Sequence, residues 1–117
     1  MEYVLTSQNR KKHQRRTNKI IREMQQIVND VPGWSERLVI QQHHSEFISS
    51  EDWGMLTSLV FLYDKKTKFS SYVTLKTSSC FSLSKLAWEV NTFINYCENL
   101  ERQILQGEIY QCQHKNL

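Results

Sequence analysis

The chain has 117 residues, a length typical of one domain with a single modest hydrophobic core. Apolar residues make up 39% of it and charged residues 23%, which excludes a disordered composition, and no apolar run approaches the ~18 residues of a membrane span. The formal net charge is only +3 but is unevenly distributed, because residues 1–30 hold seven bases and three acids while the rest of the chain carries a net −1.

The distribution of charge and the cysteine content indicate the cellular compartment of the protein. Basic residues occupy the N-terminal stretch where a signal peptide would need an apolar run. The three cysteines, Cys80, Cys97 and Cys112, are odd in number and match neither a disulfide framework nor a CxxC metal pair. We therefore expect reduced thiols and a cytoplasmic protein, or a nuclear one if the source is eukaryotic.

The first elements are an N-terminal arm and an amphipathic helix. Residues 1–8, which include EYVLT, are expected to form an edge strand or an ordered arm. From about residue 9 the apolar residues recur at helical spacing and form one stripe. The stripe consists of Ile20, Ile21, Met24, Ile27, Val28 and Val31. Pro32 and Gly33 predict the end of this helix and a sharp turn.

Three strands are predicted next. Residues 37–48 form the first of them, followed by a loop with the sequence SSEDWG. Residues 56–79 contain two β-rich runs around the polar turn Asp64 to Lys68, which is typical of a hairpin. The first run of this hairpin is apolar on both faces, so we place it at the centre of the sheet. In its partner, Val73 and Leu75 share one face, and Tyr72, Thr74 and Lys76 share the other.

The last element is a long helix with a stripe of nine residues. The stripe consists of Leu83, Leu86, Ala87, Val90, Phe93, Ile94, Cys97, Leu100 and Ile104. Ser79 or Ser82 is a plausible N-cap, Gly107 is predicted to end the helix, and residues 108–117 are expected to form a fraying tail. The order α-β-β-β-α predicts an α+β two-layer sandwich, in which two helices cover one face of a small antiparallel sheet. We expect the whole chain, 1–117, to be one domain.

The first helix has a basic side opposite its apolar stripe. At 100° per residue, its bases fall in one arc of about 120°. These bases are Lys12, Arg15, Arg16, Lys19 and Arg22. Such a row approaches the phosphate spacing of a nucleic-acid backbone. Neutral hydrogen-bonding residues lie nearby, as in many phosphate and sugar contacts. They are Asn9, Gln14, Thr17, Asn18 and Gln25.

Binding of a nucleic acid is not the sole interpretation of this basic side. Charge on the outer face of an amphipathic helix is usually only a solvated face. An acidic protein partner would also fit, whereas a membrane surface is disfavoured because the stripe is aliphatic and is needed for the core. The bases have no interleaved aromatic residues, so we expect backbone contacts with weak sequence preference rather than base stacking by this helix.

The last helix carries a second candidate surface. Trp88 lies opposite the centre of the apolar stripe, and three amides, Asn91, Asn95 and Asn99, share its arc. Tryptophan is over-represented where protein interfaces are strongest. This face is therefore a candidate partner-binding or homodimer surface, unless the N-terminal arm or a second subunit covers Trp88 as part of a core.

No catalytic or metal constellation emerges from the remaining residues. His43, His44 and Glu46 match no zinc signature. Residues 82–85 spell the S-x-x-K string of some acylating enzymes, but helix starts often produce it and the accompanying motifs are absent. Cys112 and His114 lie close to the end of the chain. We therefore expect no enzyme activity and no cofactor or metal. The expected function is a small nucleic-acid-binding or regulatory protein, or else an adaptor, assembly factor or chaperone that uses Trp88.

Overall fold

Two helices flank three strands in the computed structural model, which describes residues 7–49, 56–76 and 81–115, with side chains for 10–42, 57–76 and 81–107. The strands form one antiparallel sheet in the order β1-β2-β3, with β2 in the centre. The predicted α-β-β-β-α order is confirmed. The elements are α1 (Ser7–Asn29), β1 (Leu38–Ser49), β2 (Leu56–Asp64), β3 (Ser70–Lys76) and α2 (Leu83–Lys115).

Both helices pack on one face of the sheet, as predicted. The sheet contributes alternate residues to this core, because side chains of a strand point to opposite faces in turn. The buried apolar residues of the sheet are Leu38, Val60, Leu62, Val73 and Leu75. Those of the helices are Ile20, Met24 and Val28 in α1, and Leu86, Val90, Phe93, Ile94 and Cys97 in α2. Burying each large side chain stabilises the fold by roughly 1.5–3 kcal/mol relative to exposure.

The connection from α1 to β1 is a compact turn, as the Pro-Gly pair predicts. Gly33 adopts a φ of 82°, a left-handed conformation that costs glycine little. This turn places Trp34 in the core, where its side chain is 4% exposed. The Trp34 indole N–H donates to the Glu98 carboxylate at 3.3 Å, so the turn is tied to α2.

The β2–β3 hairpin turns at the predicted residues, and Asp64 organises its turn. The carboxylate of Asp64 accepts hydrogen bonds from the Lys66 backbone N–H at 3.1 Å and from the Thr67 hydroxyl at 2.6 Å. Lys68 takes the left-handed φ of 68° that closes the loop. The backbone N–H of Lys68 donates to the carbonyl of Asp64 at 2.8 Å.

Helix α2 begins as predicted but ends later. The Ser82 hydroxyl accepts from the backbone N–H of Lys85 at 3.2 Å, which is N-cap geometry. The prediction that Gly107 ends the helix is wrong, since α2 continues to Lys115. A single interior glycine costs only about 1 kcal/mol relative to alanine.

Several predictions differ in detail or fall outside the described residues. Leu83 is 65% exposed and Ile104 is 41% exposed, so the buried stripe of α2 is shorter than predicted. Of the predicted N-terminal strand or arm, residues 7 and 8 belong to α1. Residues 1–6, residues 50–54 of the predicted loop SSEDWG and the alternative cap Ser79 lie outside the described part of the chain, while Ser49 of that loop belongs to β1.

Candidate nucleic-acid interface

Four of the five predicted bases form an exposed row on the outer side of α1. Lys12, Arg15, Lys19 and Arg22 are all exposed, and we call these four residues the basic face. They span ten residue steps, or about 15 Å of helix axis. The opposite side of α1 is the buried stripe of the core, so the basic face points away from the sheet. Within the described residues, none of the four forms an ion pair.

Arg16, the fifth predicted base, has a different position. It is half-buried rather than fully solvated, and its Nη1 donates to the backbone carbonyl of Lys76 at 3.0 Å. The contact joins the flank of α1 to the end of β3. Arg16 therefore contributes to the docking of α1, whereas the prediction placed it on the solvent side with the other four bases.

Polar contacts beneath α1 fix the direction of the basic face. Thr17 and Ser58, both buried, share a hydrogen bond of 3.0 Å between their hydroxyls. On one flank, the Gln14 amide donates to the Gln42 carbonyl oxygen at 2.5 Å. Rotation of α1 about its axis would break both contacts. Thr17 is thus an anchor to β2. The sequence had suggested an accessible donor beside the bases, and that prediction is wrong for Thr17.

The remaining groups near the basic face add little charge. His13 is only 4% exposed, and burial, followed by the nearby charge of Arg16, lowers its pKa below the usual value, so it stays neutral at pH 7. Asn18 is exposed and accepts a hydrogen bond from Gln14 at 2.9 Å. Glu23 is the nearest acid on the same helix and is half-buried on its flank. The fully exposed side chains described around the basic face are thus cations and neutral amides, with Glu23 partly exposed at the edge.

The second predicted surface, on α2, is also exposed. Trp88 is 62% exposed, and Asn91, Asn95 and Asn99 are exposed beside it. Arg102 donates a hydrogen bond to the side chain of Asn99. The indole therefore contributes little to the core of the described structure. The arm residues that could have covered it, 1–6, lie outside the described part.

A group of charged residues near the hairpin was not predicted from the sequence. Arg37 forms a bidentate ion pair with Asp64, with Nε–Oδ1 at 2.7 Å and Nη2–Oδ2 at 2.9 Å, and its Nη1 lies 3.0 Å from Glu101. Glu101 also pairs with Lys66. These four side chains neutralise one another. We infer that they hold the hairpin against α2 and do not form a ligand site.

The pKa values in this group follow from their contacts. Burial alone would raise the pKa of Asp64, but hydrogen bonds from Arg37, Thr67 and Lys66 hold it well below the usual value. Burial, and then the charge of Asp64, raises the pKa of Cys97 to about 11. Cys97 is accordingly a protonated thiol at neutral pH, in keeping with its place in the core.

The sites considered for catalysis or metal binding have the following positions. His43, His44 and Glu46 belong to β1, but their side chains lie outside those described, as do the side chains of Cys112 and His114. Ser82 of the S-x-x-K string caps α2. Among the side chains the structure describes, no three of His, Cys, Asp or Glu are grouped so that they could hold a metal ion.

An aromatic cluster on the sheet was not predicted from the sequence. Phe61 contacts Tyr63 with ring centroids 5.9 Å apart and Tyr72 with centroids 5.3 Å apart. The signal was present in the apolar residues on both faces of β2. The pairing of Phe61 with Tyr72 requires the hairpin register, which the structure supplies.

Two further findings concern the described helices and the comparison of the chain with known proteins. Among the described helices, neither α1 nor α2 is long and apolar enough to cross a membrane. Comparison with known proteins finds no matching family model, no similar curated protein and no similar solved structure.

Proposed function

We propose that this protein is a small, non-enzymatic nucleic-acid-binding or regulatory protein, and that it binds the phosphate backbone through the basic face of α1. The observation that carries the proposal is the exposure of all four cations of that face without ion pairs among the described residues. Cations that only solubilise a helix are commonly interspersed with equal numbers of acids, whereas here residues 1–30 hold seven bases and three acids and the rest of the chain is close to neutral.

The expected chemistry is backbone contact. Lysine and arginine neutralise phosphates and release condensed counterions, which supplies sequence-independent affinity. The exposed amide of Asn18 could add a contact to phosphate or sugar. The hydrogen bonds that anchor α1 to the sheet hold the helix backbone in place, so the backbone that carries the cations loses little freedom on binding. Such a role also fits the cytoplasmic or nuclear location that the sequence favours.

A charge reversal on the basic face tests the proposal. Arg15→Glu combined with Lys19→Glu should weaken binding to labelled duplex DNA or RNA on the order of 100-fold near 0.1 M salt, because two phosphate contacts are lost. Lys85→Glu with Arg102→Glu is the matched control, since it makes the same change of net charge on exposed positions of α2. Fluorescence anisotropy measures binding, and thermal unfolding checks the fold. Equal loss in both variants, or unfolding of the first, would refute the basic face as the site.

The second candidate function is protein–protein interaction through the outer face of α2. The observation that favours it is the exposure of Trp88 beside uncharged amides, because tryptophan is enriched among the residues that contribute most to protein interfaces. An adaptor, assembly factor, chaperone or homodimer would use such a surface. The two functions are compatible, since the basic face and Trp88 lie on different helices.

The substitution Trp88→Ala tests this second candidate function. Since the indole is 62% exposed, the free energy of unfolding should change by less than about 1 kcal/mol. If Trp88 lies in a homodimer interface, sedimentation should show that the variant dissociates at concentrations where the parent protein is dimeric. Asn95→Ala on the same face serves as the control for a surface change without loss of the ring. A stability loss above about 2 kcal/mol would instead place Trp88 in a core.

A further inference from the structure

The sheet has a second face that faces away from the described parts of both helices. In β2, Ser58, Val60, Leu62 and Asp64 are buried toward the helices, so Leu59, Phe61 and Tyr63 point to the outer side. Residues paired directly across strands share a face. Phe61 pairs with Tyr72, and Tyr63 pairs with Val39.

This outer face carries a group of aromatic rings with solvent access. Tyr72 is 48% exposed, and Phe61 and Tyr63 are partly exposed. The rings of Phe61 and Tyr63 are close to parallel, with an interplanar angle of 13°, and Tyr72 is tilted by 45° to Phe61. The rest of the outer side of β3 is exposed as well, including Thr74 and Lys76.

The charged side chains that the structure describes around these rings are lysines. Among the side chains described on the outer face, none is a carboxylate, and the acid of β2, Asp64, is buried on the opposite face. Lys76 stands at one end of β3. Lys65 and Lys68 are exposed in the turn at the other end. The described part of the face is therefore apolar and aromatic in its middle and cationic at the turn.

We propose that the outer face of the sheet binds single-stranded nucleic acid, with unpaired bases stacked on Tyr63 and Tyr72 and the backbone held by Lys65 and Lys68 in the turn. This inference deepens the proposed function and rests on it for the class of ligand. Aromatic side chains on the face of a small antiparallel sheet are an established means of stacking unpaired bases. The stacking is tolerant of sequence because every base has a flat π-face.

The chemistry favours a single strand over a duplex on this face. The flat faces of bases in a duplex are already stacked on their neighbours, so rings on a sheet cannot reach them without unpairing. The lysines favour a polyanion over an apolar protein surface. The basic face of α1 lies on the other side of the sheet, which means that substitutions at one surface leave the other unchanged.

The test compares paired and unpaired ligands of one length. Tyr63→Ala combined with Tyr72→Ala removes both rings, and Tyr63→Phe combined with Tyr72→Phe keeps them without the hydroxyls. Labelled 12-mers of oligothymidylate and oligouridylate and a 12-base-pair duplex serve as probes at constant salt. We expect the alanine pair to bind the single strands at least about tenfold more weakly, with duplex binding unchanged. The phenylalanine pair should bind like the parent protein.

Each outcome of the test has one meaning. An alanine pair that binds the single strands normally, or that loses single strand and duplex equally, overturns the stacking face. If only the Arg15/Lys19 reversal abolishes binding, the proposed function stands and this inference falls. If neither the parent protein nor any variant binds any probe, both fail. If the alanine pair converts a dimer to a monomer while nucleic-acid binding persists, the face is occupied by a second copy, and the inference is overturned. Circular dichroism and the phenylalanine pair exclude a folding defect.

Discussion

Arg37→Ala is expected to lower the free energy of unfolding by about 3–5 kcal/mol, because it leaves a buried carboxylate without its cation. The side chain of Asp64 is fully buried, and Arg37 supplies two of its hydrogen bonds, at 2.7 and 2.9 Å. The guanidinium also lies 4.0 Å above the Trp34 ring, so the substitution removes packing at the same place. Denaturant titration followed by tryptophan fluorescence measures the loss.

The pH dependence of this variant should have the opposite sign to that of the parent protein. In the parent, the pKa of Asp64 is lower in the folded than in the unfolded state, so its stabilising contribution is present at neutral pH and is lost as the pH falls below about 4. Without Arg37, we expect burial, the largest single influence on the Asp64 pKa, to outweigh the remaining hydrogen bonds from Thr67 and Lys66 and to raise the folded-state pKa above the unfolded value. The variant should therefore gain stability relative to the parent protein as the pH is lowered from 7 toward about 4.

Two further variants control this experiment. Asp64→Asn in the Arg37→Ala background removes the uncompensated charge and should abolish the new pH dependence. Lys66→Ala deletes only the exposed member of the group, and exposed pairs contribute at most about 1 kcal/mol. If Arg37→Ala costs no more than Lys66→Ala, the ion pair between Arg37 and Asp64 does not stabilise the fold as expected.

The element order could be predicted because its signals are local. The apolar stripe of α1 and the alternation in β2 each depend on residues within a few positions of one another, and Asp64 to Lys68 have the composition of a turn. The end of α2 could not be predicted from Gly107 alone, since one glycine costs less than the helix gains by continuing. It was thus easier to predict that a helix or strand is present than to predict the residue at which it ends.

The contacts that position the helices on the sheet are made by residues that lie far apart in the sequence. Arg37 and Asp64 are 27 residues apart, and nothing in the sequence indicates that they meet. Arg16 reaches a carbonyl 60 residues away, so its half-buried position required the docking of α1 on the sheet. The helical wheel predicted the direction of the other four bases correctly, because opposite sides of a single helix are a local property.

The strength of salt dependence should report how many cations of α1 contact phosphate. If all four residues of the basic face do so, the affinity for duplex DNA should fall by about 3.6 log units for a tenfold rise in salt, since each contact contributes about 0.9. Replacing Lys12, Arg15, Lys19 and Arg22 by glutamine one after another should reduce this slope by about 0.9 at each step. Lys85→Gln, on α2, should leave it unchanged. If the slope persists after all four replacements, the phosphate contacts do not lie on α1, because the cations that would release counterions there have been removed.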